Sequence, residues 1–188
     1  MLEFFLIPLM YIVAIIPNAL IGRPFSDLLL IYANQEGSYE YLTLNAPNLY
    51  QWISNDYYDI FNPAGIALAA SVVLAFSYVC YKGKTPLGSG LIIKIALLSS
   101  LLVPYFLPQM HERYFFMADI ISIIYAFYFG KHYLVPAIVC LISFFSYTPY
   151  LFGITVINMK ILALILLGLI FFLIMDLTKD LFPKAAQL

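Results

Sequence analysis

The chain has 188 residues, of which 64% are hydrophobic and 10% are charged, and its mean hydropathy is +0.95. Soluble domains carry about a quarter of their residues as charged side chains, so this composition excludes a protein whose surface lies mostly in water. The formal net charge of -1 excludes a nucleic-acid-binding protein, because neutralising phosphates requires clustered lysine and arginine. Cys80 and Cys140 lie in separate apolar runs, so no C-x-x-C motif and no disulfide framework is present.

Long apolar stretches predict an all-α polytopic membrane protein. A helix needs roughly 20 mostly apolar residues to cross a bilayer, and about six stretches qualify. They are residues 4–21, 64–81, 90–107, 115–129, 134–152 and 157–177. None of them has the polar face of a surface helix in a soluble protein. We therefore predict a single transmembrane domain over residues 1–188, with one long extracytoplasmic loop over residues 22–63.

The first stretch is interpreted as a retained transmembrane helix. A secretory signal peptide begins with a basic region, whereas Glu3 occupies that place here, and Pro8 and Pro17 interrupt the apolar run. A cleaved signal peptide is the alternative.

The basic residues between the stretches predict the orientation of the chain. If the helices alternate in direction, one side carries more lysine and arginine than the other, and the positive-inside rule assigns that side to the cytoplasm. Lys94, early in the third stretch, is expected to extend its ammonium group to the same side. The inner side then carries Lys82, Lys84, Lys94, Lys131, Lys179 and Lys184, and the outer side carries Arg23, Arg113 and Lys160. Both termini are predicted to be cytoplasmic.

The predicted outer loop is rich in aromatic residues that favour the membrane interface. These are Tyr32, Tyr39, Tyr41, Tyr50, Trp52, Tyr57 and Tyr58. Two short helices are expected in the loop, one capped by Ser26 and one capped by Asn45 and beginning near Pro47. Asn45, Asn48 and Trp52 are candidates for a sugar or acceptor site, since amides bind hydroxyls and aromatic rings stack on sugars. An interfacial anchor helix is the alternative for this segment.

The segment from Leu107 to Asp119 introduces four ionisable side chains into an otherwise apolar chain. They are His111, Glu112, Arg113 and Asp119. Pro108 suits the first turn of a helix, so the segment is expected to open the fourth stretch, where free N–H groups attract anions.

Each side chain of this segment has a candidate role. Arg113 supplies a permanent charge suited to phosphate, and His111 can donate to the same anion or carry a proton. Glu112 and Asp119, predicted on one helix face, would orient these two or bind a metal or sugar hydroxyls. The alternative is a local Glu112–Arg113 charge pair at the interface. A zincin motif is excluded because Phe115 stands where its second histidine belongs.

The sequence Met110-His111-Glu112-Arg113-Tyr114-Phe115, followed by Asp119, and the loop Asn45-Ala46-Pro47-Asn48-Leu49-Tyr50 together resemble a known family. They are similar to bacterial membrane proteins related to the second mannosyltransferase of GPI-anchor assembly, which are GT-C-type glycosyltransferases. The resemblance covers roughly residues 40 to 130 and corresponds to the C-terminal half of such enzymes.

The resemblance implies sugar transfer from a polyprenyl-phosphate donor on the outer face of a bacterial inner membrane. His111, Glu112, Arg113 and Tyr114 would then lie near the lipid phosphate, with Asp119 in support. The catalytic acid of the family lies in the N-terminal half, so no catalytic residue is assigned here, and a separate N-terminal catalytic chain is an expected partner.

Two other functions stay open from the residues alone. One is a lipid or solute transporter in which Asp119 and Arg113 gate an internal path, although transporters place ionisable groups near the midplane of several helices. The other is a non-catalytic membrane assembly subunit. An enzyme is favoured over both; no cofactor follows from the sequence, and a divalent metal is left open.

Overall fold

The computed structural model describes residues 2–31 and 40–183. The chain divides into two compact units, Met1–Glu40 and Tyr41–Leu188, and each is described by itself. Tyr32, Tyr39 and Lys184, which entered the predictions above, lie outside the described residues.

The first unit contains helix α1 (Leu2–Leu20) and the short helix α2 (Phe25–Leu29). The Tyr11 hydroxyl joins them by donating to the backbone carbonyls of Leu28 and Leu29, at 2.9 and 3.1 Å. The expected cap by Ser26 is wrong. Pro24 occupies the N-cap position with its φ at -55°, and Ser26 lies inside the first turn with its hydroxyl directed at the neighbouring Asp27.

The second unit is a bundle of five helices in which consecutive helices run antiparallel. They are α3 (Tyr58–Lys82), α4 (Ser89–Phe106), α5 (Phe116–Phe129), α6 (Leu134–Phe152) and α7 (Met159–Leu181). Helix α4 packs against α3, α5 and α7, so it is the central helix of this unit. Within the described residues, four helical segments are long and apolar enough to cross a membrane: residues 55–82, α4, α6 and α7.

Local signals explain several helix boundaries. Asn158 caps α7 by accepting a hydrogen bond from the Lys160 N–H at 2.9 Å. Gly130 and Gly153 end α5 and α6 in the left-handed conformation, with φ at 60° and 67°, which glycine adopts without steric penalty. The bounds of α6 coincide with the predicted stretch 134–152.

Predicted and observed boundaries differ most at the start of α3 and at the end of α7, which extends to Leu181 instead of residue 177. Helix α3 begins at Tyr58 instead of residue 64, because a 3-10 turn over Asn55–Tyr57, capped by the Ser54 hydroxyl, leads directly into it. The end of the predicted loop 22–63 is therefore helical. Helix α5 has only 14 residues, about 21 Å at 1.5 Å per residue, and a 3-10 helix over Glu112–Phe115 precedes it.

The core of the second unit lies where α4 and α7 face each other. Leucine side chains at helical spacing fill it, and they are less than 9% exposed; examples are Leu97, Leu101, Leu166 and Leu173. Large apolar side chains such as Phe127 and Phe171 point outward, at 75% and 65% exposure. A helix that is apolar on all faces suits a bilayer and does not suit water, so the fold indicates an integral membrane protein.

The predicted inner basic residues meet at one end of this bundle. We call it the lysine end: the C-termini of α3, α5 and α7 together with the N-termini of α4 and α6. The Lys84 N–H donates to the Leu181 carbonyl at 2.8 Å, and the Thr85 hydroxyl donates to the Asp180 carbonyl at 2.6 Å. The loop after α3 is thereby fixed to the last turn of α7.

The Lys94 ammonium group lies at this end of the bundle, but it is buried and does not extend into solvent. Its side chain is 4% exposed, and its Nζ atom lies 2.6 Å from Asp176 Oδ2 and 2.8 Å from Asp180 Oδ2. The Tyr125 hydroxyl donates to the same Asp176 oxygen at 2.8 Å. Asp176 therefore forms an ion pair with the buried Lys94 inside the bundle.

Candidate functional site

Two short parallel strands join the two segments that the sequence singled out. Strand β1 (Thr43–Leu44) pairs with β2 (Met110–His111), so that Thr43 is opposite Met110 and Leu44 is opposite His111. The Gln109 N–H extends the pairing by donating to the Leu42 carbonyl at 2.9 Å. We call this part of the bundle the strand end; it lies at the opposite end of α5 from the lysine end.

The chain reaches this pairing through two residues with unusual backbone angles. Asn45 and Gln109 have φ values of 56° and 59°, in the left-handed region that is uncommon for residues other than glycine. The Gln109 side chain is held by the start of α3, because its Nε2 donates to Tyr58 Oη at 2.7 Å and to Asn62 Oδ1 at 3.0 Å. These bonds to α3 offset the conformational cost.

The loop after β1 is built around Asn48, which is fully buried. Its Oδ1 accepts from the Tyr50 N–H at 3.1 Å and caps the 3-10 helix Leu49–Trp52. The expected cap by Asn45 is therefore wrong, because the amide three residues later makes the capping bond. The short helix expected near Pro47 is a 3-10 helix that begins two residues later, at Leu49. In this arrangement Asn48 stabilises the loop, whereas Trp52 is 46% exposed and available for stacking.

Tyr50 anchors the same loop to the bundle. Its hydroxyl donates to the Phe106 carbonyl at 2.7 Å, and its ring packs against Gly65 of α3, where an added Cβ would collide with the tyrosine hydroxyl. Burial raises the pKa of Tyr50 to about 12, since an ionised phenolate would be poorly solvated there.

The segment Glu112–Phe115 is a 3-10 helix that leads into α5. Pro108 is therefore outside the helix whose first turn it was expected to form. Within the 3-10 helix the two end residues are buried and the two middle ones are exposed. Glu112 and Phe115 are 8% and 2% exposed, while Arg113 and Tyr114 face outward. This arrangement directs the positive charge away from the bundle core.

Arg113 forms no ion pair with any residue that the structure describes. Its guanidinium lies 5.9 Å from the centre of the Tyr114 ring, and the Glu112 carboxylate instead approaches His111, with Oε2 at 4.0 Å from Nδ1. The alternative of a local Glu112–Arg113 charge pair is therefore not observed. An exposed, uncompensated guanidinium just before α5, at a helix start, is suited to an anion.

His111 is half-buried beside these two charges. Burial lowers its pKa below the ordinary value and the positive charge of Arg113 lowers it further, while Glu112 opposes both effects. His111 is therefore neutral at pH 7 and can donate one hydrogen bond without adding a charge.

Asp119 lies in the first turn of α5 and makes its hydrogen bond across to α6. The Ser143 hydroxyl donates to its Oδ2 at 2.8 Å, and its Oδ1 is buried with no hydrogen-bond partner among the described residues. Glu112 and Asp119 belong to different elements, so they do not share a helix face as expected. Helix α6 also packs against the 3-10 helix Glu112–Phe115, so it lies beside the segment that carries Arg113.

Ser143 was not found from the sequence as the partner of Asp119. The available signal was the run of polar side chains within the apolar stretch 134–152, where Ser143, Ser146, Tyr147 and Thr148 lie within two helical turns. Small polar residues favour close helix contacts in membranes, and α5 and α6 do pack against each other here.

The arrangement at the strand end suits a ligand that carries both an anion and hydroxyl groups. His111 belongs to β2 and Arg113 follows it, while the Asn45–Trp52 loop follows β1, which pairs with β2. Across residues 2–31 and 40–183, no three His, Cys, Asp or Glu side chains are grouped to hold a metal ion.

Comparisons with family models, with curated proteins and with solved structures give no match to this chain.

Proposed function

We propose that the chain is a GT-C-type membrane glycosyltransferase, or the donor-binding half of one, that uses a polyprenyl-phosphate-linked sugar. The observation that carries this proposal is the pairing of β1 with β2. It joins a segment suited to phosphate, with Arg113 unpaired among the described residues, to a loop whose exposed Trp52 suits a sugar ring.

In the proposed reaction, an acceptor hydroxyl attacks the anomeric carbon of the donor sugar. The bond from that carbon to the phosphate oxygen breaks, and the lipid phosphate leaves with the electron pair. Arg113 and neutral His111 would stabilise the charge that develops on this phosphate, and Trp52 would stack on the sugar. A base deprotonates the acceptor hydroxyl; we assign no residue of this chain to that role.

The proposal is tested by donor binding and sugar transfer with the purified full chain and a radiolabelled polyprenyl-phosphate mannose. Arg113→Ala is expected to weaken donor binding by roughly 10- to 100-fold, because a hydrogen bond to a charged group contributes about 1.5–3 kcal/mol. Arg113→Lys retains the charge but loses the planar fork and is expected to show an intermediate loss. Lys160→Ala is the matched control. Lys160 is an exposed basic residue at the N-terminus of α7, at the same end of the bundle as Arg113.

Two results separate the forms of the proposal. Binding without transfer favours a donor-binding half that acts with a separate catalytic chain. Equal donor affinity in the wild type, Arg113→Ala and His111→Ala would reject the phosphate site altogether.

The proposal includes six membrane-spanning helices with both termini in the cytoplasm and the strand end outside. Support comes from the four long apolar segments and from the lysines gathered at one end of the bundle. The critical point is whether α5 crosses the membrane, because it is shorter than the roughly 30 Å hydrocarbon core.

Cysteine labelling tests this topology. In a background with Cys80 and Cys140 replaced by alanine, a membrane-impermeant maleimide added to intact cells is expected to label Tyr114→Cys and to leave Lys131→Cys unlabelled until the membrane is permeabilised. Labelling of both positions from the same side would show that α5 does not span.

A further inference from the structure

An open groove runs between α6 and α7 at the lysine end, away from the candidate site. Its volume is about 810 Å³, within the range of about 300–1,000 Å³ that is usual for ligand pockets. Its walls are almost entirely apolar and include Val135, Ile138, Gly168, Leu169 and Phe172, and His132 also lines it.

Gly168 keeps the floor of the groove open. No atom lies within 4 Å of the position that a Cβ would occupy there. A larger side chain at this position would therefore enter the groove without colliding with the protein.

Two lysines precede or follow the residues that line the groove, one in the loop before α6 and one in the last turn of α7. Lys131 precedes His132 directly and is exposed, and Lys179 is exposed at the end of α7. Lys179 follows Gly168 by eleven residues and Phe172 by seven, so all three lie on one stripe of the helix. Neither lysine is ion-paired with any residue in the described part of the chain.

The acidic groups nearby are already engaged. Asp176 and Asp180 face Lys94, and the Asp176 carboxylate also accepts from Tyr125. The His132 ring is fixed beside them, stacked on Tyr125 with ring centres 6.1 Å apart and edge-on to Phe172 at 5.4 Å. Lys131 and Lys179 therefore outweigh the single negative charge that Lys94 leaves uncompensated.

We propose that this groove binds one phospholipid with an anionic headgroup, its acyl chain along Gly168 and its phosphate between Lys131 and Lys179. The two unpaired lysines favour an anionic lipid, because a zwitterionic headgroup has no net charge to complement them. Basic pockets between helices at the membrane surface bind anionic headgroups in this way, and each buried methylene of the chain adds affinity. The site is independent of the proposed transferase function.

Native mass spectrometry of the purified full chain in detergent tests the proposal, with phosphatidylglycerol and phosphatidylcholine of identical acyl chains as probes. The wild type is expected to retain one phosphatidylglycerol in preference to phosphatidylcholine. Because each basic residue near an anionic surface contributes about fivefold, Lys131→Gln/Lys179→Gln is expected to weaken retention roughly 30-fold. Lys82→Gln/Lys84→Gln removes the same charge from the same end and is expected to leave retention unchanged.

A second test fills the groove with a larger side chain and measures lipid retention again. Gly168→Leu is expected to abolish retention of the lipid, whereas Ala70→Leu, which adds the same side chain on the exposed surface of α3, is expected to retain it. Both variants keep good helix formers, so their unfolding temperatures serve as the folding control.

Three outcomes would overturn the proposal. One is equal retention of phosphatidylglycerol and phosphatidylcholine. Another is an equal loss in the two lysine pairs, which would mean a general charge effect. The last is preferential retention of a polyprenyl phosphate over phosphatidylglycerol, which would assign the groove to a different lipid class.

Discussion

The Nζ atom of Lys94 lies 2.6 Å from the Asp176 carboxylate, although 82 residues separate the two in the chain. The pair joins α4 to α7 inside the bundle, and Asp180 adds a second carboxylate at 2.8 Å. A charge in a membrane bundle is costly unless it is paired, so the two residues depend on each other.

Lys94→Met is therefore expected to lower the free energy of unfolding by about 3–5 kcal/mol, because it leaves the charged, mostly buried Asp176 without its partner. Lys94→Met/Asp176→Leu removes both charges and is expected to recover most of that loss. Asp180→Asn is the control, with an expected cost of about 0.2–1 kcal/mol, since the Asp180 side chain is 47% exposed. Unfolding in detergent micelles measures all three. Equal effects of Lys94→Met and Asp180→Asn would contradict the buried pair.

Two buried tyrosines differ in whether the hydroxyl has a partner. The Tyr50 hydroxyl donates to the Phe106 carbonyl, whereas the Tyr105 hydroxyl is buried without a partner among the described residues. Tyr50→Phe is expected to destabilise the protein by about 1–3 kcal/mol, because it leaves the partly buried Phe106 carbonyl unpaired. Tyr105→Phe is expected to be neutral or stabilising. Thermal unfolding of the two variants side by side checks the contrast, and the reverse order would refute it.

Two glycines differ in the space beside them. A Cβ at Gly65 would meet the Tyr50 hydroxyl and ring, whereas a Cβ at Gly168 would meet nothing. Gly65→Ala is expected to destabilise by about 1–3 kcal/mol, because Tyr50 must move and lose its hydrogen bond. Gly168→Ala is expected to stabilise by up to about 1 kcal/mol through helix propensity. Unfolding temperatures that fall equally in both variants would show that the contact with Tyr50 does not restrict Gly65.

His111 gives the strand end a predicted pH dependence. Its pKa is lower in the folded protein than in the unfolded chain, mainly through burial, so the unfolded chain binds more protons between the two values. Stability is then lost as pH falls below about 6.5, the ordinary histidine pKa. His111→Gln is expected to reduce this slope when unfolding is measured between pH 7.5 and 5. An unchanged slope would mean that other groups carry the dependence.

The helical part of the fold was largely predictable from the sequence, because the length of an apolar run is a local property. The stretch 134–152 matches α6, and 90–107 differs from α4 by one residue at each end. Boundaries failed where a polar turn preceded the helix, as at Tyr58, since hydropathy does not detect a 3-10 turn capped by Ser54.

The candidate site was predictable only as two separate segments. The sequence identified the Asn45–Trp52 loop and the segment around Arg113, and it predicted that both lie at one face. It assigned the loop cap to Asn45, while the backbone geometry gave that role to Asn48. It also expected Asp119 to act with Arg113, whereas packing of α5 on α6 joined it to Ser143.

The sequence by itself determined that most of the protein surface suits lipid and that the chain is mainly helical. Both properties follow from composition and from residues close together in the chain. The tertiary structure alone decided the pairing of β1 with β2, the burial of Lys94 against Asp176, and the open groove at Gly168. Each of these depends on how segments distant in the chain pack together. Such contacts contribute free energy only once the bundle has formed.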